Sequence, residues 1–298
     1  MIVSLNNPFS GEHIYSWLIR AYKLSGYAEF LYFQKKLLFQ DRFLHPNKLF
    51  SKSIEALVNQ HCDRSKVLSN NTVAPLWQLS VGSLLNDKDP TLDAFSHMNE
   101  QQLFSFDTSW HSCKKCRQED LTEFGVSYWH TQHQIPSAFM CYKHNTIIEK
   151  AHDPVKNLYT ELLPSDIKGW VPVIKFPSEE LKTWQSFVFK VFAHCIDKQK
   201  ELLKIQKDII EHLNLNQQRA SKIKVICTDL IPKFEVGLGQ ELLEYLFRDY
   251  ARYTRRGRPN ILAAMFVDST FISGRNPVYW LALFYWLRHE LKLDGALA

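Results

Sequence analysis

Residues 113–144 read CKKCRQEDLTEFGVSYWHTQHQIPSAFMCYKH, a stretch that begins and ends with a pair of metal-type ligands. Cys113 and Cys116 form the first pair, Cys141 and His144 form the second, and 24 residues separate the two pairs. Zinc prefers thiolate and imidazole ligands in a tetrahedron, and a two-residue gap lets both members of a pair bind from one tight turn. The spacing therefore predicts one zinc ion held by a Cys3His set. Because four protein ligands leave no position for water, we expect a structural site.

Two alternatives to this interpretation remain open at the level of the sequence. One is that the cysteines are ordinary buried residues. The other is a catalytic zinc of the deaminase type, which needs a His-x-Glu on one helix together with a Cys-x-x-Cys; no His-x-Glu precedes Cys113 at a useful distance. Three more histidines compete as ligands, His111, His130 and His133, and we expect them instead to pack the interior of the module and to hydrogen-bond its backbone.

Composition limits the class of protein. Hydrophobic residues make up 45% of the 298 residues and aromatic residues 13%, which is typical of a folded protein with more than one compact unit. The net charge of +5 permits contact with nucleic acid without requiring it. Six cysteines without a regular spacing do not resemble a disulfide framework. With no export signal at the N-terminus and no apolar run longer than ten residues, we expect a cytoplasmic protein that contacts no membrane.

Helical patterns dominate the rest of the chain. Residues 7–27 predict a helix with Ser10 as its N-cap, Glu12 in its first turn and Gly26 at its C-terminal end. Short helical patterns at 50–61, 73–85 and 98–105 permit a helix-turn-helix. A short strand is expected within WVPVIKF (170–176), then a long amphipathic pattern over 178–213, and helices at 220–231, 239–253 and 277–291.

These patterns predict a mainly α protein in three parts. The first is a helical N-terminal domain over residues 1–105, with the helix-turn-helix inside it. A zinc-finger module follows at 106–152, and a helical C-terminal domain occupies 153–298.

Two blocks of this sequence carry a family resemblance. The segment GVSYWHTQHQIPSAFMCYKH behind a Cys-x-x-Cys resembles the zinc module of the TniQ/TnsD family of transposon target-selection proteins, and NPFSGEHIYSWLIRAYKLSG resembles that family's N-terminus. The blocks occupy about 1–27 and 113–148, in the family's order. Family members often carry Pro after the first cysteine, where this chain has Lys114. The second half resembles the longer TnsD branch only loosely.

The resemblance implies a non-catalytic adaptor. Such proteins mark a target either by binding double-stranded DNA directly, as in the TnsD branch, or by docking on an RNA-guided CRISPR complex, as in the TniQ branch. They recruit an AAA+ ATPase of the TnsC type, which licenses the transposase, so that the transposase is an indirect partner and the adaptor is nucleoid-associated when active. The chain has no G-x-x-x-x-G-K-[ST], which agrees with nucleotide hydrolysis belonging to a partner.

Within the resemblance, RNA-guided members often carry a further cysteine cluster after the first zinc module, and this chain has none. That difference and a pI near 8.7 favour the TnsD branch. The chain is shorter than a typical TnsD, which leaves room for a further DNA-binding region outside it. The rival class is a zinc-stabilised DNA-binding regulator unrelated to transposition. The interpretation of the protein as an enzyme stays open only if the zinc keeps an exchangeable water.

Two sets of basic residues are candidate contacts. Arg20 and Lys23, expected on the polar side of the first helix, are the candidates for the ATPase. Trp17 and Tyr22 are expected in the core, with a role as interface anchors as the alternative. The candidates for DNA lie in FRDYARYTRRGRPN (247–260), namely Arg248, Arg252, Arg255, Arg256 and Arg258. Its RRGRP resembles the core of minor-groove AT-hook peptides. The alternative is a solvated basic face paired with Asp249, Glu241 or Glu244.

Overall fold

The computed structural model describes residues 7–36, 58–59, 63–81, 106–107, 109–152, 162–248, 250, 261–266 and 276–296. The described chain is mainly helical, as predicted. It folds as two compact units. Unit 1 comprises Met1–Ala74 and Thr108–Phe176, and unit 2 comprises Pro75–Asp107 and Pro177–Ala298. The predicted three-domain division stays a prediction.

Unit 1 contains the N-terminal helices and a small sheet. Helix α1 spans Ile14–Ser25, α2 Phe30–Lys36, α3 Arg64–Asn71 and α5 Lys114–Phe124, while α4 (Ala74–Val81) begins at the last residue of this unit. Strands β1 (His111–Ser112), β2 (Glu149–Ala151) and β3 (Trp170–Pro172) form one antiparallel sheet in that order. The strand predicted within 170–176 is thereby confirmed.

Helix α1 ends at the predicted residue but begins later than predicted. It begins at Ile14, and His13 is the N-cap, whose Nδ1 accepts a hydrogen bond from the Tyr15 N–H at 3.3 Å. Ser10 is therefore not the cap, and Glu12 precedes the helix instead of lying in its first turn. Gly26 ends the helix with a φ of 74°, a left-handed conformation that glycine adopts without a Cβ clash. Trp17 is buried in the core, as predicted, whereas Tyr22 is only partly buried.

Arg20 lies inside the unit, which corrects its predicted place on a polar helix face. Its Nη2 is 2.8 Å from Glu12 Oε2 and its Nε is 3.1 Å from Glu12 Oε1, a bidentate pair with Glu12 completely buried. The guanidinium also lies 3.8 Å from the ring centroid of Phe9. A buried charge is tolerated when it is paired and hydrogen-bonded, and this pair therefore fixes the entry of the chain into α1.

The segment before α1 is hydrogen-bonded to the residues between the predicted ligand pairs. The His13 N–H donates to the Trp129 carbonyl at 2.7 Å, and the Thr131 N–H donates to the Gly11 carbonyl at 2.8 Å. The Trp129 N–H in turn donates to Ser16 Oγ at 3.0 Å. Residues distant in sequence thus share one ladder of backbone hydrogen bonds, so that α1 and residues 109–152 belong to the same unit.

Unit 2 is built from helices around an apolar core. Helices α6 (Glu179–Asp197) and α7 (Gln199–His212) are separated by Lys198, so the long amphipathic pattern of the sequence corresponds to two helices. The positions of that pattern whose side chains are described are buried, which confirms it as a core-facing stripe: Leu181, Trp184, Val188, Val191, Cys195, Leu202, Gln206, Ile209 and Leu213.

Four further helices and a short terminal one complete the described part of unit 2. They are α8 (Ala220–Leu238), α9 (Gln240–Leu246), α10 (Ile261–Phe266), α11 (Val278–Leu287) and α12 (Leu293–Ala296). Helix α11 is apolar on all sides and almost wholly buried, as expected of a helix in the centre of a core. No helix in the described ranges combines the length and the apolar character needed to span a membrane.

Some predicted elements fall outside the described residues. Of the helix predicted at 50–61, residues 58–59 are described and are helical, and the pattern at 98–105 is not described. The helix-turn-helix therefore stays a prediction.

The buried pair of Glu12 and Arg20 leads to a prediction about stability. Replacing Arg20 with Met leaves Glu12 as an uncompensated buried charge, so we expect the free energy of unfolding to fall by about 3 kcal/mol or more. Lys23→Met is the matched control, because Lys23 makes a partly exposed ion pair with Asp166 at 2.8 Å and its loss should cost less than about 1 kcal/mol. Urea denaturation measures both values, and equal losses would contradict this account.

Candidate metal centre

Four side chains meet at one point in unit 1. The ligand atoms of Cys113, Cys116, Cys141 and His144 all lie within 4.8 Å of one another. His144 Nδ1 is 3.3 Å from Cys116 Sγ and 3.6 Å from both Cys113 Sγ and Cys141 Sγ, and the sulfurs of Cys116 and Cys141 are 3.6 Å apart. Ligands at about 2.3 Å (S) and 2.0 Å (N) from a tetrahedral zinc would be about 3.5 to 3.8 Å from one another. The cluster could hold a metal ion, and its donor set and spacing suit zinc.

Local structure brings the first pair of ligands together at the start of a helix. Strand β1 ends at Ser112, Cys113 is the N-cap of α5 with extended φ and ψ of −93° and 132°, and Cys116 lies in the first turn. The partial positive charge of a helix N-terminus favours thiolates at this position. Lys114 occupies the first helical position, where proline is also well tolerated, so the departure from the family's proline leaves the helix start intact.

The second pair is held by a tight turn. The Asn145 N–H donates to the Cys141 carbonyl at 2.9 Å, the Cys141 N–H donates to the Thr146 carbonyl at 2.8 Å, and Asn145 has a φ of 50°. This reversal directs Cys141 Sγ and His144 Nδ1 towards the same point. The Thr146 hydroxyl lies 3.3 Å from Cys113 Sγ, close enough to donate a hydrogen bond to a thiolate.

A carboxylate orients the imidazole ligand. His144 Nε2 is 2.9 Å from Glu119 Oε1, which leaves Nδ1 with its lone pair for a metal. Lys143, followed by His144, holds the pKa of the Glu119 carboxyl below its usual range, so Glu119 is ionised at neutral pH. Sequence reasoning missed Glu119, although its position three residues after Cys116 on a helix places it on the same face as that ligand.

The three competing histidines lie outside the four-residue cluster, and His133 is next to it. His133 Nε2 is 3.4 Å from Cys141 Sγ and 3.8 Å from Cys116 Sγ, so it can donate an N–H to the sulfurs. Burial holds the pKa of His133 well below its usual value, which keeps the ring neutral. His130 instead pairs with Asp120 at 3.0 Å, and His111 lies in β1. These positions fit the expected packing role, whereas the partners of His130 and His133 are side chains instead of the expected backbone groups.

The environment of the cluster favours a structural role for a bound metal. The three cysteines are at most 3% exposed, and all four coordination positions of a tetrahedral ion have a protein ligand. A catalytic zinc keeps one position for water or substrate. A metal held by these four ligands would therefore have the closed coordination of a structural site.

The other predicted contact residues have mixed outcomes. Arg248 is half exposed and pairs with Asp107 at 3.1 Å, instead of with the acids proposed from the sequence. Arg252, Arg255, Arg256 and Arg258 lie outside the described residues. All five arginines therefore stay predictions as DNA contacts. Tyr250 is buried and its hydroxyl donates to Glu235 Oε1 at 2.6 Å, which indicates packing.

Comparison with known proteins supports the resemblance found in the sequence. Residues 6–147 match the family model described as TniQ, a range that contains both α1 and all four cluster residues. The match covers 142 of the 298 residues and shows that this part of the chain is similar to the TniQ family. It does not distinguish the TnsD-like branch. A search of curated proteins finds no match.

The geometry of the centre predicts one tightly bound zinc ion per chain. Because the energy of binding a structural zinc is also folding energy, Cys116→Ser should abolish stoichiometric zinc and unfold the module. Elemental analysis of the purified protein measures the metal content, and circular dichroism measures the loss of structure.

Two control variants make the zinc assignment specific. Cys195→Ala removes a buried cysteine of unit 2 and should leave one zinc per chain. His133→Leu should also leave one zinc per chain, because His133 is expected to donate to the sulfurs and not to bind the metal. If His133→Leu lost its zinc and His144→Ala kept it, His133 and not His144 would be the fourth ligand. Folded wild-type protein without stoichiometric metal would overturn the site itself.

Proposed function

We propose, from the TniQ match of residues 6–147, that this protein is a target-selection adaptor of a DNA transposon, which marks a target and recruits an AAA+ ATPase of the TnsC type. The observation that carries the proposal is the joining of the two family-like blocks into one unit. Backbone hydrogen bonds from His13 to Trp129 and from Thr131 to Gly11 connect the segment before α1 to the metal module. The features that resemble the family in sequence are thus adjacent in space.

The proposed role is non-catalytic. The four-ligand metal centre is suited to holding the fold, and the chain carries no phosphate-binding G-x-x-x-x-G-K-[ST] motif. In this account nucleotide hydrolysis belongs to the ATPase and strand transfer to the transposase. The adaptor contributes binding surfaces, so its activity should be measurable as assembly of a complex.

Helices α1 and α2 offer a surface for the ATPase. In α1, Leu24 is 67% exposed and follows the cation Lys23, and in α2, Tyr32 is 54% exposed and Leu31 is 37% exposed. We call these four residues the α1–α2 surface. Exposed apolar side chains flanked by charge are typical of contact sites between proteins. Lys23 remains a candidate contact for the ATPase. Arg20 is buried, so it would affect ATPase binding only by stabilising unit 1.

Direct binding of double-stranded DNA is the favoured mode of target marking. It is supported by the net charge of +5 and by the arginine-rich segment 247–260. The alternatives are docking on an RNA-guided CRISPR complex and a DNA-binding regulator without a transposition partner. Binding of a purified TnsC-type ATPase separates the adaptor from the regulator. Binding of duplex DNA by the protein alone separates the two kinds of adaptor.

The α1–α2 surface predicts a separable effect on recruitment. The double variant Lys23→Glu, Leu24→Glu should weaken binding of the TnsC-type ATPase by about tenfold or more, because it removes an apolar contact and reverses a charge. The thermal midpoint should stay nearly unchanged, since both side chains are exposed.

Lys175→Glu provides the matched control, as Lys175 is an exposed lysine of unit 1 outside the two helices. Surface plasmon resonance with immobilised ATPase gives the affinities. Unchanged affinity in the double variant would remove the α1–α2 surface from the account. Failure of the wild-type protein to bind any TnsC-type ATPase would favour the regulator.

The arginine-rich segment predicts a change in the salt dependence of DNA binding. Each phosphate neutralised by a cation steepens the log–log salt slope by about 0.9, so replacing Arg255, Arg256 and Arg258 with Gln should flatten the slope by up to about 2.7. The control replaces the exposed lysines of α7, Lys200, Lys204 and Lys207, with Gln and makes the same change in charge. Fluorescence anisotropy on duplex DNA measures the slopes. A parental slope in the arginine variant would identify the segment as a solvated surface.

A further inference from the structure

Unit 2 contains an open cleft of about 920 Å³ between the end of α7, helix α8 and the end of α11. Its apolar lining includes Ile226 and Leu230 of α8 and Trp286 of α11, all partly exposed. Phe234 supports the indole of Trp286 in an edge-to-face contact at 5.4 Å. Burying these partly exposed side chains against a partner would be favourable.

The wall of the cleft is shaped by a glycine. A Cβ at Gly237 would lie 2.8 Å from Trp286 Nε1 and closer still to Trp286 Cδ1, so any side chain there would clash with the indole. Because Gly237 has no side chain, the indole lies directly against the α8 backbone. The position of Trp286 is therefore fixed by packing, and the apolar floor is formed before any partner binds.

Helix α8 continues the apolar surface outwards from the cleft. Val236 is 84% exposed and lines the cleft, and Pro232, one turn earlier, is also exposed and lines it. These residues lie one helical turn apart on the same side of α8. Exposed aliphatic residues beside a preformed apolar cleft favour a binding surface for an apolar helix or strand.

Charge around the cleft favours an acidic occupant. Lys233 and Arg288 line it, and Lys233 makes no ion pair with any residue that the structure describes. Arg288 is held in place by its stacking on the Tyr285 ring, at 3.6 Å from the centroid. The one carboxylate among the lining residues, Glu290, pairs with His212 at 2.9 Å. The lining therefore offers cations that an incoming carboxylate can meet.

We propose that this cleft docks an amphipathic, acidic helix of a partner protein. The apolar face of that helix would cover Trp286, Leu230 and Val236, and its carboxylates would meet Lys233 and Arg288. The cleft lies outside residues 6–147, so the inference does not depend on the TniQ match or on the adaptor role.

A designed peptide tests the chemistry of the cleft. The probe is a fluorescein-labelled helical peptide with Leu at every third or fourth position and Glu on the opposite face, titrated with the 298-residue chain and read by anisotropy. Val236→Glu and Lys233→Glu should each weaken its binding by about tenfold or more, since one places a charge on the apolar wall and the other reverses the attracting charge.

Matched controls lie on the same helix. Val225→Glu and Lys222→Glu make the same chemical changes at exposed positions of α8 that do not line the cleft, and both should bind the peptide within about twofold of wild type. A peptide with Lys in place of Glu should bind at least about tenfold more weakly to wild type.

Three outcomes would overturn the proposal. The first is an absence of acidic-peptide binding to wild type, and the second is equal weakening by the cleft and control variants. The third is concentration-dependent dimerisation, seen by sedimentation and abolished by Val236→Glu, which would make the cleft a contact between copies of this chain.

Discussion

Convergence of four ligand atoms, with His144 Nδ1 at 3.3–3.6 Å from the three cysteine sulfurs, is the constraint on which unit 1 depends. A metal at this point joins the start of α5 to the 141–144 turn and closes the loop between them. That loop carries Trp129 and Thr131, whose backbone groups hold the segment before α1. A bound metal would thus position α1 through these backbone hydrogen bonds, and the proposed ATPase surface would depend on it indirectly.

Local patterns explain which features the sequence could predict. The ligand pairs, Gly26 and the buried stripe of α6 and α7 follow from short-range spacing, and the structure has all of them. Ser10 has the chemistry of an N-cap, but Ser10 and Gly11 lie in a turn, and the hydrogen bonds of Gly11 and His13 to the metal module keep the chain out of the helix up to Ile14. Tertiary contacts therefore overrode a local preference.

Arg20 shows a second limit of reasoning from one helix. A helical projection places it away from the apolar face, and its burial depends on Glu12 and Phe9, which precede the helix and fold back on it. The sequence likewise did not predict that Glu119 and His133 contact the metal ligands. These contacts depend on where α5 meets the loop between the two ligand pairs. In unit 2 the cleft beside Trp286 depends on the absence of a side chain at Gly237, and no periodicity signals such a contact.

Hydrogen–deuterium exchange before and after removal of the metal tests most directly whether the metal centre and α1 form one cooperative unit. This account predicts that chelation removes protection together from the amides of Cys141 and Ile148 in the module and of His13, Trp17 and Thr131 at the junction with α1. The amide of Leu281 in unit 2 serves as the internal reference and should stay protected. Retained protection of α1 in metal-free protein would contradict the account, because the helix would then hold its place without the metal.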